Sequence, residues 1–200
     1  MSDQDIPNVV DNDPFKKICD DPDVILVVGP DKVPIGVDSR CLRRASKVFN
    51  AMFKPPWMES TKLSNDPDSP TDLALPEDDA QAMHHVCCII HHRNDLVPAD
   101  FSAGEILQIA VVVDKYDMLT ALKYAASWWL ELCPEVETPE ADAILSMARL
   151  LAAAYLFRDP EQFRRLSLDL LFNYSGSYRE IGKNSLLADI LGSEIPGARC

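Results

Sequence analysis

The order of elements across residues 23–53 constrains this chain more than any other feature. DVILVVG is a continuous, β-branched apolar run held between Asp21-Pro22-Asp23 and Gly29-Pro30-Asp31, and such a run between turn residues reads as a strand. In VPIGVD, Val33, Ile35 and Val37 alternate with Pro34, Gly36 and Asp38, so a hairpin partner with one buried face follows. Pro34 and Gly36 suit an edge or irregular position. The next segment, SRCLRRASKVFNAMF, carries Leu42, Ala45, Phe49, Met52 and Phe53 at helical spacing, which predicts one amphipathic helix capped by Asp38 or Ser39. Arg40, Arg43, Arg44 and Lys47 mostly occupy its other side, as a solvated face does, and receive no function.

Residues 54–70, KPPWMESTKLSNDPDSP, hold four prolines among Ser, Asn and Asp and predict a surface connection without a continuous helix. TDLALP then places Leu73 and Leu75 on one side of a short strand. From Asp79 a helix is expected with Met83, Val86, Cys87 and Ile90 inward, ending near Asn94. Ser102 and Glu105 have the spacing of a capping box for a helix carrying Ile106, Ile109, Ala110 and Val113. Another helix carries Leu119, Leu122, Ala126, Trp129, Leu130 and Cys133, and Pro134 stops it.

Beyond the acidic linker PEVETPE, two further helices are expected. Thr138-Pro139 opens the first, and Asp159-Pro160-Glu161-Gln162 supplies the second with a cap, a first-turn proline and a reciprocal Gln. Ile144, Leu151, Tyr155 and Leu156 face Phe163, Leu166, Leu170, Leu171 and Tyr174 in an antiparallel pair ended by Ser175-Gly176. The organisation read this way is a flexible acidic tail over 1–14, a first unit over 15–134, a helical pair over 135–176, and a segment over 177–200 left open between short helix and tail.

Composition bounds the function. With 200 residues and 47% hydrophobic content the chain can bury a substantial core. A net charge of −13 argues against phosphate backbones and anionic membranes, whose binding needs clustered Lys and Arg. No apolar run approaches the roughly 18 residues needed to span a bilayer, and the acidic N-terminus is unlike a secretory signal. The expectation is a protein of the cytoplasm, the nucleus or both, with no nucleic-acid or membrane partner. Its six cysteines form no CxxC pair, so reduced, mostly buried thiols are expected.

DVILVVG, the helix ending in VFNAMF, the strand TDLALP with the acidic PEDD after it, and DKYDM followed by LTALK stand in an order that resembles the BTB/POZ domain. The overall flavour is similar to the small fungal BTB-domain proteins. The resemblance covers more than half of the chain and implies an α+β fold in which a small sheet caps a helical cluster, followed by a C-terminal helical extension. It implies a protein-interaction module with other proteins as partners and no cofactor, rather than an enzyme. In relatives that recruit a cullin ubiquitin-ligase scaffold, the loop after the F-x-x-M-F helix carries a hydrophobic residue, any residue, then Glu. Here FNAMF is followed by Trp57, Met58 and Glu59, although Pro55-Pro56 departs from the usual context. An aromatic anchor beside a carboxylate suits such a contact, whereas packing of Trp57 under its own loop is the plain alternative. Tyr116 lies where the family's helix junction contributes to the same surface, and a core position is its alternative. A scaffold in transcription or chromatin complexes without cullin contact stays open. Residues 1–21 offer only PFKKIC as a helix, so a monomer or weak self-association is expected over an obligate swapped dimer.

Chemistry of another kind concentrates in one place. All four histidines fall on a single predicted helix, where His84, Cys88 and His91 or His92 lie at i, i+4 and i+7 or i+8 and could present metal ligands on one face. A structural zinc site normally adds a ligand from another element, and neither HExxH nor CxxC spacing is present. A zinc-binding helical protein is therefore the third reading. No glycine-rich phosphate loop or GxSxG motif occurs, so catalysis is not expected.

Overall fold

Four strands form one sheet in the order β1-β3-β2-β4: β1 (Lys16–Lys17), β2 (Val24–Val28), β3 (Val33–Val37) and β4 (Thr71–Leu75). The computed structural model describes residues 16–54, 69–132, 140–173 and 179–191. Strands β2 and β3 pair as an antiparallel hairpin with Val24 opposite Val37. Strand β4 lies parallel to β2 with Leu73 beside Leu26, and β1 lies parallel to β3. Because side chains alternate along a strand, Val24, Leu26, Val28, Ile35, Val37, Leu73 and Leu75 all enter the core. Pro34 is accommodated because the short β1 reaches only Ile35 and Gly36 of its strand.

The hairpin turn depends on Gly29. Its φ is +74°, and a Cβ there would stand 3.2 Å from the carbonyl oxygen of Asp78, so a side chain would be strained in conformation and tight in space. This close approach seats the turn after β4, which presents Asp78.

The helix expected after the hairpin is two helices, α1 (Ser39–Ala45) and α2 (Lys47–Met52). Ser46 is extended between them, at φ −133° and ψ 125°, and its side chain accepts from the Phe49 N–H at 3.0 Å as the cap of α2. The expected stripe survives the break, with Leu42, Phe49 and Phe53 buried and Ala45 and Met52 half-buried. Asp38 caps α1. Asp23 fastens this corner by accepting from the Ser39 N–H at 2.7 Å and the Ser39 hydroxyl at 2.6 Å.

Helices α3 (Ala80–Ile90), α4 (Ala103–Lys115) and α5 (Leu119–Leu132) follow. All four expected inward residues of α3 are buried, and the capping box of α4 is formed in both directions. Helix α3 stops at Ile90, short of Asn94, because His92 takes φ +61° and the Arg93 N–H turns back to the Cys88 carbonyl at 2.8 Å. That is the 6→1 bond of a Schellman ending.

Helices α6 (Glu140–Leu156), α7 (Pro160–Asn173), α8 (Arg179–Lys183) and α9 (Ser185–Leu191) complete the described chain. The open C-terminal segment is thus helical in part, with Ile181, Leu187 and Leu191 buried. Helix α6 packs on α4, α7, α8 and α9. It meets them through Ala148, Ala152, Ala153 and Ala154, all fully buried, whose small side chains let neighbouring helices approach closely. Leu171, expected inside the helical pair, is instead 65% exposed, whereas Tyr155 meets Phe163 across the pair with ring centroids 6.1 Å apart while remaining 44% exposed. Asp159 caps α7 as expected by accepting from the Gln162 N–H, but Gln162 does not reciprocate: its carbonyl accepts from Arg165 at 2.8 Å. Residues from β2 through α9 share one apolar cluster, and the molecule is of mixed α+β class.

Candidate functional site: the aromatic platform at the end of α2

Three aromatic rings stack where α2 ends. Phe53 lies over Phe49 with centroids 5.9 Å apart, and Phe49 lies over Tyr116 at 4.5 Å and 8° between planes. Burying Phe49 contributes roughly 2–3 kcal/mol from its apolar area alone, and the stacking adds to that.

Tyr116 enters this stack from the C-cap of α4. Its hydroxyl donates to Asp78 Oδ2 at 2.7 Å, while Lys115 Nζ donates to Asp78 Oδ1 at 2.7 Å and stands 5.5 Å from the Tyr116 ring centroid. Asp78 is only 6% exposed, and a buried carboxylate requires such partners. Burial, and then the Asp78 carboxylate beside it, hold the Tyr116 phenol well above its ordinary pKa, so it remains a donor. The Ser46 hydroxyl donates to the Tyr116 carbonyl in a short hydrogen bond. At the rim, Lys47 pairs with Asp117 at 3.1 Å. The FNAMF and DKYDM segments, far apart in sequence, therefore form one unit with the turn after β4.

Trp57, Met58 and Glu59, the expected partner contacts, lie outside the described residues. Tyr116 requires a correction as a contact residue. At 2% exposure its side chain offers a partner no surface, because both the ring and the hydroxyl are used internally. Its role here is to position α2. Two residues of this platform carried no recognisable signal. Asp78 is one of three consecutive carboxylates in PEDD, and Ser46 sits inside an unbroken helical pattern.

The metal candidates are not brought together. Among the described residues no group of three or more His, Cys, Asp or Glu is placed to hold an ion. His84 and Cys88 are neighbours on one turn, with Sγ 3.6 Å from Nε2. His91 is committed elsewhere: Nδ1 donates to the Cys87 carbonyl at 2.7 Å and Nε2 accepts from the Asp38 N–H at 2.9 Å, which fixes the neutral tautomer. His92 is exposed in the left-handed position that ends α3. His85, the remaining histidine of this segment, is 6% exposed and meets Phe101 edge-on at 5.1 Å.

Among the described cysteines, Cys87 and Cys88 are buried, Cys19 and Cys41 are half-buried, and none of these four is in a disulfide. Burial drives the Cys87 pKa up, which removes thiolate reactivity there. No described helix is long and apolar enough to cross a membrane.

No family model matches this chain, and no curated protein matches it.

Proposed function

We propose that this chain is a protein-interaction module of BTB type that recruits a cullin scaffold through Trp57, Met58 and Glu59. The packing of Phe49 on Tyr116 carries the reading, because it joins two of the segments on which the resemblance rests. A sheet of one hairpin flanked by parallel strands, set against helices, also agrees with it. The platform supplies what a contact segment needs: Phe53 is pinned, so the chain leaves α2 from a fixed point. Tethering at one fixed end lowers the conformational entropy that a contact segment loses on binding.

Calorimetric titration of the full chain with a cullin N-terminal domain tests the proposal. Saturable binding is expected, lost in Trp57→Ala and in Glu59→Lys while circular dichroism stays unchanged. A folded wild-type chain that does not bind overturns cullin recruitment and favours the alternative role, a scaffold in transcription or chromatin complexes.

A further inference from the structure

The first turns of α3 and α4, the middle of α6 and the start of α9 surround a cavity of about 370 Å³ that shares no lining residue with the aromatic platform. Cavities of that size take small metabolites rather than one or two waters. Asp79, His85, Glu105, Arg149 and Asn184 line it.

Arg149 gives the cavity its chemistry. It is half-buried on α6, and among the described residues it takes part in no ion pair and no hydrogen bond. A guanidinium with no protein partner is open to a ligand, and its planar fork matches a carboxylate with two parallel bonds. The carboxylates are half-used. Asp79 Oδ1 caps α3 by accepting from the Ala82 N–H at 2.8 Å, and Glu105 Oε2 accepts from the N–H and hydroxyl of Ser102 at 2.8 and 2.7 Å. Each keeps its second oxygen without a hydrogen bond among the described residues. The Ser102 bonds also hold the Glu105 carboxyl below its ordinary pKa, so it is anionic at neutral pH.

One cation against two carboxylates selects the ligand. A phosphate dianion would gain Arg149 and be repelled twice, whereas a molecule with both a carboxylate and an ammonium group satisfies both signs. We propose that this cavity binds a small zwitterion of the α-amino-acid class, its carboxylate on Arg149 and its ammonium group against Asp79 and Glu105. Two carboxyl groups against one guanidinium leave the lining with an acidic excess, so a basic amino acid is the favoured member.

L-Lysine is the probe, titrated calorimetrically into the full chain beside its methyl ester, its Nα-acetyl derivative and inorganic phosphate. Wild type is expected to bind L-lysine saturably, and loss of the carboxylate or the α-ammonium group to weaken binding by roughly tenfold or more. Arg149→Gln should reproduce the ester effect. Glu105→Gln should reproduce the acetyl effect while preserving the capping box, since Gln serves that role. Absence of saturable L-lysine binding overturns the site, as does undiminished binding by the ester, by the acetyl derivative or by either variant. Phosphate binding more tightly than L-lysine overturns the charge argument. None of these outcomes depends on whether a cullin binds.

Discussion

Tyr116 and His91 show how single side chains fix this structure. Tyr116→Phe keeps the ring stack on Phe49 but removes the donor to Asp78, leaving that buried carboxylate with Lys115 alone. The expected loss is about 1–3 kcal/mol, read as a lower urea midpoint at unchanged slope. His91 is expected to make stability depend on pH. Burial lowers its pKa in the folded state, and both ring nitrogens are engaged only in the neutral form. The unfolded chain takes up a proton near the ordinary His value of about 6.5, whereas the folded chain does so only at lower pH. Over that window the unfolded state binds more protons, so this contribution is full above about pH 6.5 and is lost as pH falls. Urea unfolding at several pH values should show a shallower decline in His91→Gln than in wild type. An unchanged slope would mean that His91 is not the responsible group.

At the scale of elements, much was legible where the signal is local. The capping box at Ser102 and Glu105, the cap at Asp159 and the continuous apolar run of β2 each depend on residues within a few positions of one another. The break at Ser46 was not legible, because an apolar period is the same in one long helix as in two short ones. What decides it is a hydroxyl bonded to the carbonyl of Tyr116, distant in sequence. The platform was hidden for the same reason: FNAMF and DKYDM were visible as segments, but the carboxylate that joins them was not. Helix ends misled differently. Glycine is the usual residue at a left-handed helix end, yet α3, α4 and α6 close on His92, Asp117 and Arg158 at φ +61°, +50° and +54°. Each carries a side chain where glycine would fit without strain. His92→Gly is therefore expected to raise stability by roughly 0.5–1 kcal/mol, measured as a higher thermal midpoint. A lower midpoint would show that the His92 side chain contributes more than its backbone costs.

For the whole molecule, the question is whether the C-terminal helices are an appendage or part of one cooperative unit. The acidic linker before α6 marked a boundary in the sequence, because composition shifts there and proline stands on both sides. Apolar packing crosses that boundary. Ile144, Ala148, Leu151 and Ala152 of α6 are buried together with residues of α4 in the same cluster that contains the sheet. Surface-area scaling favours this arrangement, since a short chain buries a smaller fraction of its apolar surface and gains from each added layer. The full chain should unfold in one transition, with far-ultraviolet circular dichroism and tryptophan fluorescence coinciding. Ending the chain after Leu132 would uncover the face of α4 that α6 covers, including an apolar strip that water must then solvate. The shortened protein is expected to bind the dye ANS, lose near-ultraviolet circular dichroism and melt without a sharp midpoint. If it instead unfolds cooperatively at the same urea concentration as the full chain, the first unit is self-sufficient and α6 only rests upon it.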